Sequence, residues 1–159
     1  MSLGVAARLL VQRRFFPLMG AQALGAFNDN VFRNALVIMI AYGGIISSEE
    51  INTWSNVAAG LFILPFFLFS ATAGQLAEKY EKSRSIRYIK LLEIAIMGVA
   101  ALAFWFKSLP MLVGVLFLMG TQSALFGPLK YSILPQHLRP EELVGGNGLI
   151  SAGTFLTIL

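Results

Sequence analysis

Asp29 and Arg33, an acid and a base four residues apart, stand in the stretch Phe27-Asn28-Asp29-Asn30-Val31-Phe32-Arg33-Asn34 among three amides. The rest of the segment from Phe15 to Tyr42 is fit for the interior of a membrane. A charge at that depth costs on the order of 2.5–3.5 kcal/mol by insertion scales, so such charges mark the path of a substrate or an ion. The same spacing also suits an internal pair, in which the two groups neutralise one another at i and i+4. On a helix of about 100° per residue, Gln22, Ala26, Asp29 and Arg33 fall within about 60° of each other, with Asn30 and Asn34 beside them. Asn28 points elsewhere, and Leu24, Val31, Leu36 and Ile38 make a face for lipid or other helices.

The elements that position this cluster follow from composition. The chain has 159 residues, 57% hydrophobic and 13% charged, against about 25% charged in globular domains. This is the composition of an all-α, polytopic membrane protein. It contains no cysteine and a single histidine, His137, so disulfides, thiol catalysis and multi-histidine metal sites are excluded. Apolar periodicity and breakers predict helices over about 15–42, 54–77, 88–106 and 111–131, with another from about 147. The last apolar run holds only the residues from Gly148 to Leu159, where a span needs about 20. The expectation is therefore a fragment with four complete transmembrane helices and the start of a fifth. Gly114, Gly120, Gly127 and Pro128 predict a broken fourth helix. Pro140-Glu141-Glu142 has the form of a helix start.

Residues 1–14 form a basic arm with Arg8, Arg13 and Arg14 and no acid, read as a solvated flank that sets topology. Its Leu3, Val5, Leu9 and Leu10 also suit a weak amphipathic turn on the interface. The segments 1–14, 78–90 and 130–139 carry the basic residues, whereas the loop 44–53 has none and its counterpart has Lys107 alone. Those segments therefore face the cytoplasm, the N-terminus included. Orientation accounts for the net charge of +4, which removes the motive for a nucleic-acid partner.

The segment Gly74-Gln75-Leu76-Ala77-Glu78-Lys79-Tyr80-Glu81-Lys82-Ser83-Arg84 resembles the signature loop of the major facilitator superfamily. Glu78 stands where aspartate is usual and Glu81 where the pattern has glycine. In this resemblance Gly74 lets its helix sit close to a partner. Glu78 caps a helix or pairs with a loop base, and Lys79, Lys82 and Arg84 complete a conformational switch. Gly25-Ala26-Phe27-Asn28-Asp29-Asn30 with Arg33-Asn34-Ala35-Leu36 narrows the resemblance. So do Phe126-Gly127-Pro128-Leu129-Lys130-Tyr131 with Leu134-Pro135, and Gly145-Gly146-Asn147-Gly148. Together these motifs resemble the lysophospholipid transporter branch of that superfamily, from about Arg14 to the end.

The resemblance implies the N-terminal part of a six-helix half of a twelve-helix carrier in the bacterial inner membrane, with the C-terminal half missing. It implies a non-enzyme that moves lysophospholipids such as lysophosphatidylethanolamine for reacylation. No cofactor is implied, and the coupling ion, sodium or proton, is left open. Asp29 and Lys130 are the implied headgroup residues, with Gln122, Asn30 and Arg33 near them. A carboxylate suits the ammonium, a lysine the phosphate and an apolar wall the acyl chain. Alternatives stand beside this. The chain also fits the membrane domain of a fused acyltransferase or acyl-carrier-protein synthetase, or a carrier for another amphiphile or small solute. Lys130 is near enough to the surface to snorkel, and Asn30 and Asn34 can hydrogen-bond neighbouring helices. Glu93, one turn after Lys90, reads as its ion-pair partner, and His137 as a surface residue.

Overall fold

Long runs of Leu, Ile, Phe, Val and Ala, stopped by Gly43-Gly44, Tyr80-Glu81 and Lys107-Ser108, dictate helices joined by short connections. A computed structural model describes residues 8–44 and 46–158. Their elements are α1 (Phe16–Tyr42), α2 (Ile51–Lys79), α3 (Lys82–Trp105), α4 (Leu109–Ser132), the short α5 (Leu134–His137), a 3-10 turn (Pro140–Glu142) and α6 (Leu143–Ile158). The all-α class holds for these residues. Residues 1–7 of the basic arm, with Leu3 and Val5 of its expected amphipathic turn, lie outside the described residues.

Three helices among the described residues, α2, α3 and α4, are long and apolar enough to cross a membrane. Four complete spans were expected, and α1 is the difference. Its 27 residues give the length, but Asn28, Asp29, Asn30, Arg33 and Asn34 dilute its apolar character. At about 1.5 Å per residue, the 16 residues of α6 fall short of a bilayer core. Along α2 and α3 large apolar side chains face outward, Phe67 at 79% and Ile94 at 69% exposure among them. Such surfaces belong in lipid, and Trp105 stands exposed at the end of α3 as an interfacial anchor.

The described chain gathers into two compact units. In the unit from Phe32 to Leu129, the α1 residues Phe32, Leu36 and Ile40 recur at helical spacing and pack with Ala58 of α2. Ile96, Ala100 and Ala103 of α3 and Leu112, Val115, Leu116 and Met119 of α4 complete that core. The Phe32 and Phe104 rings meet edge to face at 5.5 Å. Helices α2 and α4 approach closely at Gly120, where an added Cβ would lie 2.5 Å from the Phe62 carbonyl oxygen and 3.1 Å from Pro65. Despite its glycines and Pro128, α4 is one continuous helix.

The other unit contains the described residues up to Val31 and those from Lys130 onward. Its core is Leu9, Phe15, Leu134, Leu138 and Ile150, so the described end of the arm is exposed at Arg8, Leu10, Val11, Arg13 and Arg14 and anchored in this core through Leu9 alone. Leu9 is fully buried because the turn before α1 folds it onto α5 and α6. Gly146 sits where an added Cβ would overlap Leu138, which explains a glycine inside α6. That helix begins at Leu143, four residues before the expected start, because the turn at Pro140–Glu142 runs directly into it.

The basic run 78–87 is also not the loop that its charge density predicts. Only Tyr80 and Glu81 separate α2 from α3. The Glu81 carboxylate accepts from the backbone N–H groups of Ser83 at 3.0 Å and Arg84 at 2.6 Å, an N-cap that starts α3 inside the run.

Candidate functional site

In the unit of the described residues up to Val31 and from Lys130 onward, the polar residues of α1 face two fates. Gln22 is buried, and its Nε2 donates to Thr154 Oγ1 of α6 at 2.8 Å. Asn30 Nδ2 donates to the Thr157 carbonyl at a long 3.4 Å. Next to the Gln22 bond, Gly153 lets α6 approach Met19, whose Cε would lie 2.5 Å from an added Cβ. Thus Asn30 makes the neighbour bond foreseen for it and for Asn34, and Gln22 adds a tie between α1 and α6 that was not foreseen. Asp29 is half-buried and engaged in an interaction of its own. Lys130, also half-buried and engaged, holds its Nζ 5.1 Å from the Tyr131 ring centroid. Asp29, Asn30 and Lys130 belong to this unit, and Arg33 and Gln122 to the other.

Asn28 was not singled out by sequence reasoning, since it lies off the polar face. Yet its Nδ2 is buried without a hydrogen-bond partner among the described residues. Leaving such a donor unmade costs about 1–3 kcal/mol, and the group can donate to a ligand acceptor. The available signal was its place in the Phe27-Asn28-Asp29-Asn30 motif.

Ahead of α1, Arg14 makes a forked contact to Glu142, with Nη2 at 2.7 and 2.8 Å from the two carboxylate oxygens. Its Nη1 donates to the His137 carbonyl at 2.8 Å. The Arg139 backbone N–H also donates to Glu142 at 2.9 Å. That hydrogen bond, then the Arg14 guanidinium, hold the Glu142 carboxyl below its ordinary value.

In the unit from Phe32 to Leu129, Gln122 of α4 is 3% exposed and uses both ends of its amide. Nε2 donates to Glu93 Oε2 of α3 at 2.9 Å, and Oε1 accepts from Ser123 Oγ at 3.1 Å. Lys90 Nζ lies 2.7 Å from the same Glu93 oxygen, the expected pair, and 4.4 Å from the Phe126 ring centroid. This gives a satisfied polar network within two apolar helices, with Glu93 at its centre. Arg33 places its guanidinium 5.5 Å from the Phe62 ring centroid.

The switch residues lie at the α2–α3 turn. An added Cβ at Gly74 would meet nothing within 4 Å, so the close approach expected there is made at Gly120 instead. Glu78 and Arg84 are exposed, Lys82 opens α3, and Lys79 Nζ lies 5.7 Å from the Tyr80 ring centroid. The acid that caps a helix is Glu81, where the signature has glycine, and not Glu78. The cap hydrogen bonds from the Arg84 and then the Ser83 backbone N–H groups hold the Glu81 carboxyl below its ordinary value.

No protein-family model matches the chain, and no solved structure matches it. Curated proteins do. The chain is 31% identical over 140 residues to the lysophospholipid transporter LplT of Escherichia fergusonii, covering 87% of this chain and 32% of that protein. It is 29% identical to LplT of Enterobacter sp. strain 638 over the same shares. To LplT of Serratia proteamaculans it is 29% identical over 151 residues, 94% of this chain and 35% of that one. The chain is a distant homologue of these transporters over most of its own length and spans about a third of theirs.

Proposed function

We propose that this chain, a distant homologue of lysophospholipid transporters, is the N-terminal part of a lysophospholipid carrier of the bacterial inner membrane. The homology over 87% of the chain carries the reading, and the acid, base and amides of α1 support it. In this reading α1 through α6 belong to one six-helix half of a major facilitator fold, with α1 and α4 as equivalent members of its inverted repeats. The N-terminus is cytoplasmic by the distribution of Lys and Arg. Asp29 pairs with the ammonium of a lysophosphatidylethanolamine headgroup and Lys130 with its phosphate, while apolar helix faces take the single acyl chain. The unpartnered Asn28 amide adds a donor for the glycerophosphate oxygens. Gln122 acts through Glu93 and Lys90, because both ends of its amide are already bonded. Gly74, Glu78, Lys79, Lys82 and Arg84 bias the exchange between outward- and inward-open states. The two halves rock about a midplane site and deliver lysolipid from the outer to the inner leaflet for reacylation. No step of this is enzymatic.

A panel of lysolipids, cationic drugs and sugars, offered to vesicles containing the protein with all that its reading frame encodes, tests the proposal. Uptake confined to lysophospholipids is expected. Uptake of sugars or drugs without lysolipid would replace the reading by a carrier for another solute.

A further inference from the structure

Where α2 and α4 end and α3 begins, the unit from Phe32 to Leu129 contains a cleft of about 510 Å3 that lies outside the proposed headgroup site. Leu76, Ile89, Leu125 and Leu129 give it an apolar floor, and Tyr80, Arg84 and Tyr88 stand along its margin. The two tyrosines are 53% and 70% exposed. The cleft lies within a few turns of the α2–α3 connection, so with those helices crossing a bilayer it opens at headgroup depth. An aromatic margin over an apolar floor is the lining that this layer favours.

Charge selects the occupant. Glu81 is in the wall, but its two carboxylate oxygens are taken by the Ser83 and Arg84 backbone N–H groups. The Arg84 side chain is exposed and makes no ion pair among the described residues. Over 78–87, Lys79, Lys82, Arg84 and Arg87 outnumber Glu78 and Glu81. A guanidinium forks onto phosphate oxygens, and the surplus of positive charge favours a headgroup that carries no cation of its own. We propose that the cleft holds a resident anionic phospholipid, its phosphate on Arg84 and the first part of an acyl chain along Leu76, Ile89, Leu125 and Leu129. This rests on the membrane placement of α2 to α4 and not on the lysophospholipid reading.

The test is native mass spectrometry of the protein released from nanodiscs of equal phosphatidylglycerol and phosphatidylethanolamine. Wild type is expected to retain phosphatidylglycerol preferentially, Arg84→Gln to retain about fivefold less, the share of one basic residue at an anionic surface, and Arg84→Lys to keep most. Leu125→Trp, which fills the floor without changing charge, is expected to lose the lipid at an unchanged melting temperature. Equal retention of the two lipids by wild type, or no loss in Arg84→Gln and Leu125→Trp, would overturn the proposal. So would displacement of phosphatidylglycerol by added lysophosphatidylethanolamine, which would make the cleft part of the transport path.

Discussion

Single residues divide into those that hold the fold and those left able to act. Gln22 and Gln122 look alike in sequence, polar amides in apolar helices, and both are consumed by partners on another helix. Neither partner is local, since Gln122 finds Glu93 across 29 residues of chain. No periodicity could announce that bond, whereas the pair between Lys90 and Glu93, three residues apart, was legible. Gln122→Leu strips Glu93 of one donor and removes the Gln122 acceptor of the Ser123 hydroxyl. It is expected to lower stability by about 1–3 kcal/mol, read from thermal unfolding in detergent by circular dichroism. Asn28 predicts the opposite pattern. Its Nδ2 has no partner to lose, so Asn28→Leu should leave the melting temperature unchanged or raised while transport falls. A melting temperature lowered along with transport would mean that the amide is a structural bond after all.

At the level of elements, hydropathy and breakers foretold helices in the right order but misplaced the junction with the most charge. Lys79, Lys82, Arg84 and Arg87 suggested a loop, yet a single acidic cap suffices to begin α3 among them. The folded protein holds Glu81 below the ordinary carboxyl value of 4.5. Its stabilisation is therefore present above that value and lost as the pH falls through the lowered folded one. Glu50, through the Ser47 hydroxyl, and Glu142, through the Arg139 N–H, add losses of the same sign. The discriminating quantity is thus the slope: below pH 4.5, wild type should lose melting temperature more steeply than Glu81→Gln. The next connection contains the other local tension. Lys107 adopts a φ of 49°, a left-handed conformation that glycine enters without steric cost. Lys107→Gly is expected to stabilise the α3–α4 hairpin by up to about 1 kcal/mol, seen as a raised melting temperature.

For the whole molecule, composition sufficed to identify a helical membrane protein, because 57% hydrophobic residues and outward Phe67 and Ile94 express the same physics. Less legible was the tie between distant parts of the chain. Arg14 grips Glu142 and His137 from more than 120 residues away, although it reads in sequence as one of several topogenic charges. Arg14→Ala is expected to lower the melting temperature, and the difference should shrink in high salt, because the pair is partly exposed and therefore screened. The candidate headgroup site was legible only as a set of residues, since the amides that share a face with Asp29 also hold helices together. Transport separates the two roles. The most direct measurement is lysophosphatidylethanolamine uptake into vesicles by wild type and Asp29→Asn at equal protein level. The account predicts uptake by wild type and its near-complete loss in Asp29→Asn; wild-type uptake rates in the variant would contradict it.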